Sequence, residues 1–229
     1  MSKLIGIIGA MDIEIDGLVS SMPKKKITML SGIKFYQGKL CGKDVVVAKC
    51  GIGKVFASIC AQTMILNFNP SVVINTGVAG TLDKDLCVLD VAIASGVVQH
   101  DMDTSPLGDP YGLISGINVI VFNSDDRVVN TLKLASEQAK ILCKTGIIAT
   151  GDKFVHKSED KAWIKNEFNA IACEMEGGAI GHTCYVNGVP FGIIRAISDG
   201  EGATMDYLNF SLRAAQRSID IVKKFIELY

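Results

Sequence analysis

Two glutamates flank a methionine in the segment Ala172–Ala179, ACEMEGGA, where an apolar run of strand character gives way to a helix. An ionised carboxylate taken out of water without a partner loses its hydration with nothing in return, so a pair at a strand end requires donors. Three other apolar runs end in polar clusters: GAMDIEID, with Asp12, Glu14 and Asp16; NTGVAGT, with Asn75, Thr76 and Gly80; and RAISDGEG, with Arg195, Ser198 and Asp199. In sheets covered by helices, ligands gather at the carboxyl ends of strands, where loops and helix N-termini converge. Brought to one rim, these ends supply several acids to one cleft, a composition suited to proton transfer. Each has a plainer reading. Glu14 can be an acid in the first turn of a helix, favoured by the dipole, Asp199 can cap the helix that follows it, and both glutamates of ACEMEGGA can simply open the next helix.

The elements that must position these residues alternate along the chain. Strands are expected at 3–9, 45–50, 71–77, 88–98, 117–122, 145–151, 170–175 and 191–198, several of them apolar on both faces, as in a sheet with helices on each side. Helices are expected near 12–20, 54–68, 125–142, 158–167 and 176–187. The clearest is 206–228, where Leu208, Leu212, Ala215, Ile219, Val222 and Ile226 recur every three or four residues. No repeat or Pro, Gly or Ser-rich linker divides the 229 residues, and the expectation is one α/β domain over 1–229.

Composition excludes several partners. The 23 basic and 24 acidic residues are interspersed, and the formal charge of -1 leaves no electrostatic footprint for nucleic acid or an anionic membrane. No segment reaches the apolar length of a membrane span. Seven cysteines, odd in number and without a C-x-x-C pair, suit small reduced core residues and a cytoplasmic location. GIGK at 51–54 lacks the spacing of a phosphate-binding P-loop. HDMD at 100–103 finds no second histidine or thiolate at ligand spacing, since His156 and His182 are scattered, so neither metal nor cofactor is expected.

Six motifs in order, IIGAMDIEI, GIGKVFA, INTGVAGTL, GDKFV, CEMEGGAI and RAISD, together resemble the bacterial 5′-methylthioadenosine/S-adenosylhomocysteine nucleosidases of the wider nucleoside phosphorylase family, over residues 4 to 228. The resemblance implies a three-layer α/β fold with a central mixed sheet flanked by helices. It also implies hydrolysis of an N-glycosidic bond, with products that feed methionine salvage or signalling. Such cleavage builds oxocarbenium character on the ribose and negative charge on the adenine, so an acid is wanted at the base and an anion near the sugar. By resemblance, Asp199 is the acid that protonates adenine N7, and Glu14 orients and deprotonates the attacking water. Glu176 takes the ribose hydroxyls, Met175 lies beneath the sugar, and Glu174 supports them. Phe154 stacks on adenine, although a lone Phe is more often core. Val155 reads the base edge, while Ala79 and Gly80 pack along the purine. Asp152 is expected to fix its loop, Ser198 to support Asp199, and Arg195 to act through water or Glu14.

In the same family, Thr104 and Leu107 cross to cap a partner's 5′ pocket while Met205 lines that pocket in its own chain, implying a homodimer. Leu107 replaces a common aromatic. Phosphorylases place an arginine close before the glycines of NTGVAGT, and this chain has none there. Val78 stands where many nucleosidases carry serine, leaving Glu14 to find that hydrogen bond elsewhere. A phosphate-dependent phosphorylase, an aminofutalosine nucleosidase and a non-catalytic nucleoside sensor are the alternatives.

Overall fold

The computed structural model describes residues 4–200 and 203–229, so Lys3 of the first expected strand lies outside the described residues. Strand β1 (Ile5–Gly9) is buried at every position, as expected of a strand covered on both faces. The path continues through α1 (Asp12–Val19), β2 (Lys25–Leu30), β3 (Ile33–Leu40), β4 (Lys43–Lys49), α2 (Lys54–Phe68), β5 (Val72–Thr81) and β6 (Val91–Gln99). A 3-10 turn at Ser105–Leu107 precedes β7 (Phe122–Asn123), α3 (Asp126–Gln138), β8 (Cys143–Thr150), α4 (Ser158–Phe168), β9 (Ala170–Glu174), α5 (Gly177–Val186), β10 (Phe191–Asp199) and α6 (Ala203–Leu228).

The strands form one mixed sheet in the order β10-β6-β8-β9-β5-β1-β4-β3-β2, with β7 on β6. Strand β10 pairs antiparallel with β6 and parallel with β5, so this half of the sheet closes on itself while β1, β4, β3 and β2 extend from it. Helices α2 and α5 bury Ala57, Cys60, Met64, Ile180 and Cys184 against one face. On the other, α1, α3 and α6 bury Ile15, Leu18, Val128, Leu132, Ile219 and Phe225. The helix-period stripe on α6 faces the core at Ala215, Ile219, Val222 and Ile226, whereas Leu208 and Leu212 of the same stripe are exposed, and the three layers expected from the sequence are present.

Two expectations fail locally. The run 117–122 is not a strand: Gly116 at φ 90° and Asn118 at φ 55° turn the chain into a single bridge between Ile114 and Val119, and only Phe122–Asn123 joins the sheet. Helix α3 ends at Gln138 rather than 142, because Lys140 at φ 56° breaks the helical path. Strands β2 and β3 were not expected. Their alternation is half polar, with Lys25, Lys26 and Thr28 on the edge strand, and a turn at Ser31 and Gly32 (φ 51° and 73°) joins them. All seven cysteines are free, but only four are buried, while Cys41 and Cys87 are exposed. No helix among the described residues is long and apolar enough to cross a membrane.

The topology decides where the polar strand ends meet. Strands β1, β5 and β10 run parallel as neighbours, so their carboxyl ends share one rim. Strand β9 lies parallel to β8, with Glu174 opposite Thr150, and meets the end of β5 with Cys173 opposite Gly80. All four polar strand ends, three of them bearing carboxylates, converge there.

Candidate active site

Glu14 sits in the first turn of α1 and is almost wholly buried. Its Oε2 accepts the amides of Ala10 (2.6 Å) and Met11 (3.0 Å), and Oε1 accepts the amide of Val78 (3.1 Å). It therefore serves the helix terminus and faces the cleft at once, and the two readings of its sequence position do not exclude each other. The Val78 amide supplies a hydrogen bond where the sequence offers no serine hydroxyl. Burial raises the Glu14 pKa, opposed by the Arg195 charge and by these three amides.

Neither acid could occupy its place if β5 carried side chains throughout. A Cβ added at Gly77 would lie 2.6 Å from Glu14 Oε1, and one at Gly80 would lie 2.8 Å from Asp199 Oδ2. The glycines of NTGVAGT are spaces filled by the two carboxylates.

Around ACEMEGGA the required donors are built in. Glu174 Oε2 accepts the amides of Glu176 (3.0 Å) and Gly177 (2.7 Å) at the start of α5, together with the Arg195 guanidinium (2.5 Å). Its Oε1 takes the Thr150 hydroxyl, which in turn accepts the Gly178 amide (2.6 Å). Arg195 is fully enclosed and also bonds the Asn75 side chain and its neighbour's carbonyl at Ile194 (3.1 Å). Burial opposes its charge, but Glu174, Glu176 and Glu14 together hold its pKa above the usual guanidinium value. The expected route through Glu14 is thereby corrected: the direct partners of Arg195 are Glu174 and Asn75, and Glu14 feels it only through space.

Glu176 is the freer carboxylate. Its Oε1 accepts the Gly53 amide (2.9 Å), and its Oε2 lies 3.9 Å from Arg195. Burial and the adjacent Glu174 charge raise its pKa. The GIGK stretch, which fails as a P-loop, has a role here: Gly53, at φ 98°, presents its amide to Glu176. Asp152 accepts the next amide, Lys54 (2.8 Å), while its own amide donates to Asp101 (2.9 Å), which fixes the GDKFV loop.

Asp199 ends β10, buried, with Ser198 Oγ donating to Oδ1 (2.8 Å). Burial pushes its pKa up, against the Ser198 hydrogen bond and the Lys161 charge. The Gly200 amide next to it is taken by Asp206 of α6 (3.2 Å). Phe154 is 41% exposed and meets Tyr207 edge to face with ring centroids 5.7 Å apart. The Tyr207 hydroxyl reaches Met11 Sδ at 3.4 Å, which spans the mouth.

One cavity of about 280 Å³ brings together Glu14, Ala79, Gly80, Phe154, Glu174, Met175, Glu176, Ser198 and Asp199. Val155 lines a small recess bounded by several of the same residues, and Arg195 lies behind the wall. The expectation for Met205 is corrected. It is 63% exposed and absent from the cavity lining, since its turn of α6 presents Tyr207 instead. Thr104 and Leu107 do not line this chain's cavity either; Thr104 bonds Asp109 (2.8 Å), and Leu107 projects from the 3-10 turn, 84% exposed. Sequence reasoning missed Thr150, Gly53 and Tyr207, and it singled out Asn75 without its bond to Arg195. Thr150 carries a signal in retrospect, as a polar residue at the end of an apolar strand.

A family model of the Phosphorylase superfamily matches residues 4–227. The chain belongs to the phosphorylase superfamily. Within it, the chain is 39% identical over 227 residues to the 5′-methylthioadenosine/S-adenosylhomocysteine nucleosidase of Staphylococcus aureus, covering 97% of this chain and 99% of that one. Among solved superfamily structures, the Neisseria meningitidis nucleosidase in complex with methylthio-immucillin-A superposes with a TM-score of 0.95 at 36% identity, covering 99% and 100% of the two chains. An aspartate-to-asparagine variant of the Helicobacter pylori enzyme, with 5′-methylthioadenosine in its active site, gives 0.96 at 34% identity with full coverage of both. A Helicobacter pylori structure described as a futalosine hydrolase also matches, at 0.95 and 35% identity, covering 100% of this chain and 99% of that one.

Proposed function

We propose that this chain is a nucleosidase that hydrolyses the N-glycosidic bond of 5′-methylthioadenosine and S-adenosylhomocysteine, releasing adenine and the thioribose product. The observation that carries the reading is the polarity of one cavity. A carboxylate cluster stands at one end, a single buried acid at the other, and no cationic side chain is among the described lining residues. Phosphorolysis needs cations to hold phosphate; hydrolysis needs a base for water. The full-length likeness to enzymes named for this activity agrees.

In this reading Glu14, with three backbone donors fixing its carboxylate, orients the attacking water and accepts its proton. Glu176, whose proton affinity is raised in the empty cavity, is ionised as the ribose hydroxyls donate to it, and the carboxylate then stabilises positive charge as the sugar approaches an oxocarbenium ion. Burial raises the proton affinity of Asp199, which favours the protonated form that can donate to N7 as electrons from the breaking bond enter the purine. Phe154 and Tyr207 give the base an aromatic wall. The reading includes a cytoplasmic homodimer, supported by the exposed apolar run Val55, Phe56 and Ile59 on α2 and by Leu107.

The test is adenine release from 5′-methylthioadenosine with and without phosphate. Release independent of phosphate is expected. Dependence on phosphate indicates a phosphorylase, and binding without release indicates a sensor. For the dimer, Leu107→Asp should lower both the size-exclusion mass and the preference for methylthioadenosine over adenosine; no change in either removes Leu107 from the pocket.

A further inference from the structure

We propose that Lys161, on α4, is a positioning residue for Asp199: it holds the main chain beyond β10 and sets how readily the acid gives up its proton. The inference rests on reading Asp199 as the proton donor.

The Lys161 side chain is only 14% exposed. Its Nζ donates to the Gly200 carbonyl at 2.5 Å and lies 3.9 Å from Asp199 Oδ2. The Gly200 amide is held by Asp206 of α6. Gly200, the residue after the acid, is therefore held through both its backbone N–H and its backbone C=O, by different helices. The two carboxyl oxygens are also distinguished: Ser198 donates to Oδ1, whereas Oδ2 fills the space over Gly80 and faces Lys161.

Among the described residues, the charged and titratable groups around Asp199 are Lys161 from α4, Asp206 and Tyr207 from α6, and Cys173 from β9, and Lys161 is the only cation of these. It does not line the nucleoside cavity but borders a separate one of about 260 Å³, with Lys84, Lys165 and His156, so it approaches Asp199 from behind.

At 3.9 Å the ammonium is beyond direct hydrogen bonding, so it biases the carboxyl without forming a tight ion pair. When Asp199 passes its proton to N7, the carboxyl becomes a carboxylate, and a nearby cation stabilises that product of the transfer. The same cation slightly favours ionisation beforehand, which lowers the pH at which the acid is lost. Removing it leaves a weaker acid that keeps its proton to higher pH.

The experiment is the pH profile of kcat and kcat/KM for Lys161→Met and Lys161→Arg, normalised to folded protein, with Lys161→Gln as a second neutral variant. Lys161→Met should lower kcat by about tenfold and move the alkaline limb up by about half to one pH unit. KM should stay near its normal value, and Lys161→Arg should recover both properties. In an Asp199→Asn background, with its residual turnover measured at high enzyme concentration, Lys161→Met should have no further effect on kcat. An unmoved alkaline limb in both neutral variants, or an undiminished effect in the Asp199→Asn background, overturns the proposal. Wild-type turnover in Asp199→Asn alone instead overturns the reading of the acid, and this inference falls with it.

Discussion

The two ends of the cavity are built on different principles. At the end proposed for the sugar, Glu14 has three amide donors, and Glu174 has two amides, a hydroxyl and a guanidinium. At the end proposed for the base, Asp199 has one hydroxyl donor and a cation at 3.9 Å, and the aromatic wall is half open. A carboxylate that must be charged before substrate arrives needs its counter-dipoles in place, because desolvating it bare costs several kcal/mol. An acid that waits in neutral form does not. The fold surrounds Glu14 and Glu174 with donors and leaves Asp199 with few.

That contrast can be broken from either end. The largest effect is expected from replacing either proposed proton-transfer group: Glu14→Gln and Asp199→Asn should each lower kcat by about 10³-fold or more with little change in Tm, measured by adenine release and scanning calorimetry. Near-normal turnover in either variant removes that residue from the mechanism. Next is Glu174→Ala, which strands Arg195 without its principal counter-charge and should cost ~3–5 kcal/mol of stability. Denaturant melts read this, and a loss no greater than that of Asp199→Ala would erase the distinction between the two ends.

At the base end, Phe154→Ala should raise KM by about tenfold and change kcat by less, as expected for losing one aromatic contact. A change confined to kcat would make Phe154 part of the chemistry instead. The smallest effect concerns pH. Glu176 has a folded pKa raised from 4.5 to about 8, so its contribution to stability is full below pH 4.5 and is lost as pH rises towards 8. The ligand-free Tm should therefore fall by a few degrees between pH 5 and 8, and Glu176→Gln should flatten the fall; an equal slope in the variant assigns it elsewhere.

The parts of the molecule legible in the sequence were those with one dominant signal. Strands such as IGIIG and helix α6 are declared by continuous or periodic apolarity, and both acids stand at the ends of such runs. Strands β2 and β3 were hidden because an edge hairpin with one wet face carries lysines and threonine where an interior strand carries valine. Arg195 was placed near the site but not with its partner. Sequence distance says nothing of a pairing between the middle of β10 and the end of β9, which depends on register across a closed sheet. Gly53 was invisible for a similar reason: its contribution is an amide, which every residue but proline possesses. Tyr207 lost to Met205 because a two-residue change of place on α6 decides which side chain turns inward.

The two spaces left by Gly77 and Gly80 have a metrical consequence. Each carboxylate rests against β5 at one of them, and they are three residues apart on one strand. A strand advances about 3.3 Å per residue, so these two stops are about 10 Å apart along the chain. The interval between base and acid is thus ruled by the main chain of a single buried strand, and rotamer changes in either side chain adjust it only at the margin. Loops and α6 can shift without altering that gauge. An insertion or deletion of one residue between the two glycines would mis-space the acids and shift the register of the strand beyond it.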